Sequence, residues 1–184
     1  NSITKQGWNV SGDYSYSSFS YAANTLYVTE VTDEDGNATR EYRNKLGQVV
    51  IKESKLGSDW LRTAYVYDDL GLLRCVVPPE ASDPTTETGL CFYYKYDERH
   101  LMVEKKIPGA GALKMVYDNR DRLRCTQNSN QALLNEWSFT KYDELNRPII
   151  TGIVTYSGDV EAVIDGASMN ESRNNILTGY GYTT

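Results

Sequence analysis

The chain has 184 residues, of which 40% are hydrophobic and 24% charged, and this ordinary balance excludes a disordered tail. Its net charge of −6 leaves no basic face for phosphates, so we expect no nucleic-acid partner. No apolar run approaches the roughly 18 residues of a membrane-spanning helix, so we expect no membrane span. The 15 tyrosines against 3 phenylalanines favour half-buried pleated strands, in which the ring is buried and the hydroxyl stays in water.

In chain order, residues 1–25 are rich in Tyr and Ser and are interpreted as a lead-in or an edge strand. Residues 26–155 alternate apolar and polar side chains between turn signals, which predicts a β-sheet region with a polar, proline-bearing insertion at 77–89. Sustained helical spacing is absent, and we interpret the one weak helical segment, 128–136, as a loop. Residues 156–184 are predicted to be a loop followed by the start of a further Tyr-alternating strand at 178–184.

An internal repeat organises the β-sheet region. Each copy places an Asp or Asn at the end of one strand, and the gaps between these markers are 11, 24, 29, 21 and 25 residues. A repeat of about 20–25 residues holds two strands and two connections. Asp accepts a hydrogen bond from the backbone two residues later, and Gly in the fourth position accepts a positive φ, so we predict a strand–turn–strand unit at each marker. The residues of this motif are Asp33, Gly36, Asn44, Gly47, Tyr67, Asp68, Gly71, Tyr96, Asp97, Tyr117, Asp118, Tyr142 and Asp143.

Three copies depart from glycine in the fourth position of the turn, where His100, Asp121 and Asn146 stand instead. Asn suits a left-handed conformation next best after Gly, whereas His100 predicts a strained or altered turn. The tyrosines that precede the turn aspartates in the last four copies are expected to stack as a ladder of rings across neighbouring hairpins.

The copies resemble the YD repeats of the RHS (rearrangement hotspot) family, whose pattern is loosely Tyr-x-Tyr-Asp-x-x-Gly-x-Leu. Four copies in register carry the likeness, which extends over about residues 26–155. The amino-acid sequence of segments such as Trp137–Ile149 is similar to that of RHS-repeat proteins of the Bacteroidetes type. The resemblance implies consecutive antiparallel hairpins that form a curved, twisted sheet, as a segment of a β-shell.

The same resemblance implies the role and the location. Relatives use the shell as a wall around a C-terminal toxin, or as part of a cell-surface adhesion receptor. We therefore expect a secreted or cell-surface, cell wall-associated protein, with neighbouring repeats of the full-length molecule as partners and a toxin as cargo. The chain contains one Asp-Pro, Asp83-Pro84, without the Gly of the self-cleaving element found in related shells, so we expect scaffold rather than protease.

Candidate chemical sites are weak in this sequence. Asp33 to Asn37 spaces oxygen ligands like a calcium loop, but an EF-hand starting there needs Gly at 38 and Glu at 44. Every copy supplies acids at the same turn, and the single histidine, His100, has no implied partner, so we predict no catalytic residue, no cofactor and no metal. The three cysteines are expected to be buried free thiols, with a cross-strand disulfide between Cys75 and Cys125 as the alternative.

A second function stays open at this point. Trp8, Trp60 and Trp137 offer flat faces on which a sugar could stack beside the acidic turns, so the alternative is an extracellular carbohydrate- or partner-binding segment. Unpaired sheet edges also predict edge-to-edge self-association.

Overall fold

A computed structural model of the protein describes residues 5–166. Strands dominate this part of the chain, and neighbouring strands pair antiparallel, so the all-β prediction is confirmed. The strands are β1 Lys5–Ser11, β2 Ser15–Tyr21, β3 Tyr27–Thr32, β4 Ala38–Arg43, β5 Val49–Leu56, β6 Asp59–Tyr67, β7 Leu73–Val77, β8 Phe92–Tyr96, β9 Met102–Ile107, β10 Gly111–Tyr117, β11 Leu123–Gln127, β12 Glu136–Tyr142 and β13 Pro148–Thr155. The helices are α1 Ser129–Leu133 and α2 Val160–Gly166.

The chain divides into two compact units. Of the described residues, the first unit comprises 5–95 and 106–109, and the second comprises 96–105 and 110–166. In the first unit, strands β3 to β8 are hydrogen-bonded in chain order. In the second, strands β9 to β13 follow one another in the same way. In such a meander, successive turns lie alternately at opposite ends of the strands.

A separate two-stranded hairpin, β1–β2, lies against strand β6 of the first unit. Its rings, among them Trp8 and Tyr16, pack on a core that contains Val66, Cys75 and Tyr93. The N-terminal segment therefore forms a hairpin of its own and is not an edge strand of the sheet that contains β3 to β8. Its alternation of aromatic with Ser or polar residues gives one apolar face, which covers the sheet.

Both described helices lie in the second unit, and both occupy segments that the sequence analysis predicts to be loops. Helix α1 occupies a segment that the sequence analysis interprets as a loop. A capping box stabilises its N-terminus: the Asn128 side chain accepts from the Gln131 N–H, and the Gln131 side chain accepts from the Asn128 N–H. Helix α2 occupies part of the predicted C-terminal loop, and Ile164 buries against Val116 and Cys125. Both helices are too short to show a full apolar stripe in the sequence. The predicted strand at 178–184 lies outside the described residues.

The unequal spacing of the turn markers follows from the meander. The gap of 11 residues between Asp33 and Asn44 spans one strand, β4, whereas each longer gap spans two strands. Within the first unit, the Asp33 turn therefore lies at the opposite end of the strands from the Asn44 and Asp68 turns. The longest gap contains the connection between β7 and β8, which holds the predicted proline-bearing insertion.

Candidate functional site: the aspartate turns

Six turns in the described part of the chain share one hydrogen-bond geometry. In each, Oδ1 of the first residue accepts from the backbone N–H groups two and four residues later, at 2.8–3.1 Å. Two backbone hydrogen bonds of 2.9–3.1 Å close the same loop. The first residues of the turns are Asp33, Asn44, Asp68, Asp97, Asp118 and Asp143. One side-chain oxygen thus satisfies two donors that the turn would otherwise leave to water.

The fourth residue of every turn is left-handed. Glycine holds this position in three turns, with φ between 80° and 85°. His100, Asp121 and Asn146 adopt the same region with φ of 63°, 59° and 62°. His100 therefore keeps the ordinary turn rather than altering it, at the backbone cost that a side chain incurs in this region.

The tyrosines before the turns act through their hydroxyls. Tyr67 donates to the carbonyl of Val49 at 3.0 Å, and Tyr117 donates to the carbonyl of Met102 at 3.0 Å. Tyr142 donates to the carbonyl of Leu123 at 2.9 Å. In each case the acceptor lies five residues after the marker of the preceding turn. Each hydroxyl therefore connects its hairpin to the one before it. The stacking expected for these rings stays a prediction.

Side chains also join neighbouring turns directly in the second unit. Nη1 of Arg99 donates to the Asp118 carbonyl at 2.7 Å and to Oδ1 of Asp121 at 2.9 Å. Nη1 of Arg122 donates to the Asp143 carbonyl at 3.4 Å and to Oδ1 of Asn146 at 3.1 Å. Each arginine thus reaches the first and the fourth residue of the following turn.

The first unit contains a shorter version of this link. Nε2 of Gln48 donates to the main-chain carbonyl of Gly71 at 3.3 Å. A Cβ at position 71 would lie 3.1 Å from that same nitrogen, so glycine leaves the space in which Gln48 lies. Sequence reasoning missed Gln48, Arg99 and Arg122, although their placement two or four residues after a turn marker was a readable signal.

Asp118 is the most buried of the turn acids. Its side chain is 2% exposed, and its Oδ2 accepts from Nε and Nη2 of Arg122, both at 2.8 Å. Arg124 lies 3.5 Å from the same oxygen. Burial alone raises the pKa of Asp118, but the hydrogen bonds from Arg122 and from the turn outweigh it and hold the pKa below its usual value. The carboxylate is therefore held ionised, and its oxygens serve the turn and its arginines.

Two less buried turn acids, exposed Asp33 and partly buried Asp143, are held ionised for related reasons. The Asn37 side chain, together with backbone N–H groups, lowers the pKa of Asp33. At Asp143 the backbone N–H of Arg147 is the largest cause of the lowered pKa, and the Arg147 guanidinium adds to it. These carboxylates have the electrostatics of structural turn residues rather than those of a general acid, whose pKa is raised.

The three cysteines are free and buried. Cys75 and Cys91 lie in the core of the first unit beside Tyr93. Cys125 lies in the core of the second unit with Val116 and Ile164. Burial raises the pKa of all three thiols, so they lack the lowered pKa of reactive cysteines. The alternative pairing of Cys75 with Cys125 is not present.

The tryptophan faces considered for sugar stacking are engaged in the protein. Trp8 packs on the core of the first unit and Trp137 on the core of the second. The guanidinium carbon of Arg40 lies 3.9 Å from the centre of the Trp60 ring, which covers that face. Arg40 also borders an open groove of about 410 Å³, where its guanidinium is paired with Glu30.

Within residues 5–166, the acidic and sulfur-bearing side chains do not assemble a group of three or more metal ligands. Over the same residues, no helix has the length and apolarity needed to cross a membrane. A scan against protein-family models gave no match, and a search of curated proteins gave none either. The repeated turn geometry therefore carries the functional argument for this chain.

Proposed function

We propose that this chain is a non-catalytic wall segment of a large, exported RHS-type repeat protein. The observation that carries the proposal is the repetition of one turn, with the same hydrogen bonds, at six markers of the sequence. An enzyme concentrates unusual polar groups at one place, whereas this chain distributes the same acids along its hairpins and uses their oxygens to close turns. The resemblance to YD repeats supplies the proposed architecture, a curved sheet that forms part of a shell.

Contacts between successive hairpins support a wall. The Tyr142 hydroxyl and the Arg122 guanidinium each connect neighbouring hairpins within the second unit, and the Tyr67 hydroxyl does so in the first. A repeat array gains its stability from such nearest-neighbour terms. The proposed partners are therefore further repeats of the full-length protein, which would add strands to the sheet.

Strands β3 and β13 offer edges for that addition. All six residues of β3 are exposed, including Tyr27 at 69% and Val31 at 62%. In β13, Ile153 is 64% exposed. Exposed apolar residues on an edge strand are a liability unless another strand covers them. Further repeats of the same protein are the proposed cover, and in their absence the edges favour self-association.

The proposed cargo of the shell is a C-terminal toxin, and the proposed location is outside the cell or at its surface. Both proposals rest on the family resemblance. Carbohydrate binding through Trp8, Trp60 and Trp137 has no specific support, since each ring is engaged by the protein itself.

Structure determination of the full-length protein by cryo-electron microscopy tests the proposal. We expect this segment to form consecutive strands of a larger curved wall, with other repeats hydrogen-bonded to β3 or β13. A segment that stands as a separate domain, with both edges free, would contradict it. Surface labelling of intact cells that express the full-length protein tests the location, and a strictly cytosolic signal would overturn that part.

A further inference from the structure

The residues in the fourth, left-handed position of the turns vary in a way that backbone preference does not explain. Glycine is the least strained choice at positive φ, yet Asp121 and Asn146 stand there in two turns. These are the two turns that receive an arginine from the turn before them. The turn that receives Gln48 instead has Gly71, whose backbone carbonyl is the acceptor.

The geometry points to a recognition rule between successive turns. We infer that Asp121 and Asn146 are specificity-determining residues: each presents a side-chain oxygen to the arginine of the preceding turn, and so fixes which turn follows that arginine and in which register. Asp121 accepts a hydrogen bond from Arg99, and Asn146 accepts one from Arg122. Gln48 and Gly71 form the alternative pair, in which a shorter donor meets a backbone carbonyl.

Chemical complementarity supports this rule. A guanidinium has several donors in a fixed fork, so it can bind the backbone carbonyl of the first residue and the side-chain oxygen of the fourth together. Gln48 has one amide group, and the Cβ of any other residue at position 71 would press on it at 3.1 Å. A turn that carries the linking arginine thus favours Asp or Asn in the fourth position of the next turn. A turn that carries the linking glutamine favours Gly there.

His100 provides a contrast within the same unit. Its φ of 63° matches those of Asp121 and Asn146, but the side-chain oxygens that accept from Arg99 and Arg122 belong to those two residues. Replacing His100 with Gly removes a side chain from a left-handed position and keeps the backbone hydrogen bond from the N–H of residue 100 to the Asp97 carbonyl. We expect H100G to be neutral or slightly more stable than the parent chain.

The test is a set of double-mutant cycles on the full 184-residue chain, measured by urea unfolding. The matched pairs are R122A with N146G and R99A with D121G, and the mismatched control pair is R99A with N146G. We expect a coupling of about tenfold in the folding equilibrium constant for the half-buried Arg122–Asn146 pair. The exposed Arg99–Asp121 pair should give about twofold to fivefold, and the mismatched pair none.

A conservative variant separates recognition from simple backbone effects. N146D keeps an acceptor oxygen in place, so it should retain the coupling with Arg122 that N146G loses. Because Arg122 also pairs with buried Asp118, R122A alone can fail to fold, and the Arg99 cycle then decides the question. Equal coupling in matched and mismatched pairs, or no coupling in any pair, would overturn the inference.

This inference deepens the proposed wall function, and the two can fail separately. Uncoupled cycles in a segment that still forms a wall in the full-length protein would remove the recognition rule alone. Coupled cycles in a segment that stands apart from any wall would remove the proposed function and leave the turn pairing intact.

Discussion

Asp118→Asn is the sharpest test of the buried turn acid. The variant keeps Oδ1, and Asn44 shows that an asparagine can hold such a turn, since its Oδ1 accepts from the N–H groups of Leu46 and Gln48 at 3.0 Å. What changes is Oδ2, which becomes an NH₂ group facing the Arg122 guanidinium. The side chain of Arg122 is 7% exposed, so its charge would remain buried without its partner.

The expected loss follows from that burial. Removing one member of a buried ion pair costs about 3–5 kcal/mol. Because asparagine keeps the turn hydrogen bonds, we expect a loss in the free energy of unfolding at the lower end of that range, about 3 kcal/mol. For a chain of this size, such a loss lowers the melting temperature by about 6–12 °C. Thermal and urea unfolding followed by circular dichroism at pH 7 measure it.

The matched control is Asp33→Asn, at an exposed turn acid without an arginine partner. We expect its melting temperature to stay within about 2 °C of the parent chain. If Asp118→Asn and Asp33→Asn have equal effects, the argument that the Arg122 pair holds the Asp118 turn is wrong.

The remaining predictions concern single groups. Tyr142→Phe should lower stability by about 1 kcal/mol because it removes the hydrogen bond to the Leu123 carbonyl, whereas Tyr27→Phe at an exposed site should change nothing measurable in the same urea titration. The three buried thiols should resist a thiol reagent in the native chain and react in denaturant, and rapid native labelling would contradict their burial. The lowered pKa of Asp118 stabilises the folded state above its unfolded pKa and is lost as the pH falls through the folded value, so the urea midpoint should decline below about pH 4, less steeply in Asp118→Asn. In sedimentation velocity, the exposed β3 and β13 edges should give concentration-dependent association, and a strict monomer at high concentration would refute it.

The turns were predictable from the sequence because their chemistry is local. An Asp followed by Gly three residues later specifies the hydrogen bonds and the positive φ by itself, and the sequence analysis located all six markers. The alternation of side chains likewise predicted strands on either side of each turn.

The remainder depends on contacts distant in sequence. The hairpin of β1 and β2 was not predicted as a cover for the core, because the packing of Trp8 against Val66 and Cys75 is a tertiary contact. Helix α2 was missed because seven residues do not show a helical period, and Ile164 is buried by its neighbours in space. The reach of Arg122 to Asn146 depends on strand register, which the motif alone does not give.

Hydrogen exchange measured by mass spectrometry on Asp118→Asn tests the central claim, that neighbouring turns stabilise one another, most directly. We expect the turn amides at 97–101 and 143–147 to exchange about tenfold faster along with those at 118–122, while those at 33–37 in the first unit stay unchanged. Val116→Ala, a core variant of the same unit, controls for a general loss of stability. Faster exchange confined to 118–122 would show that each turn stands alone and would contradict the account.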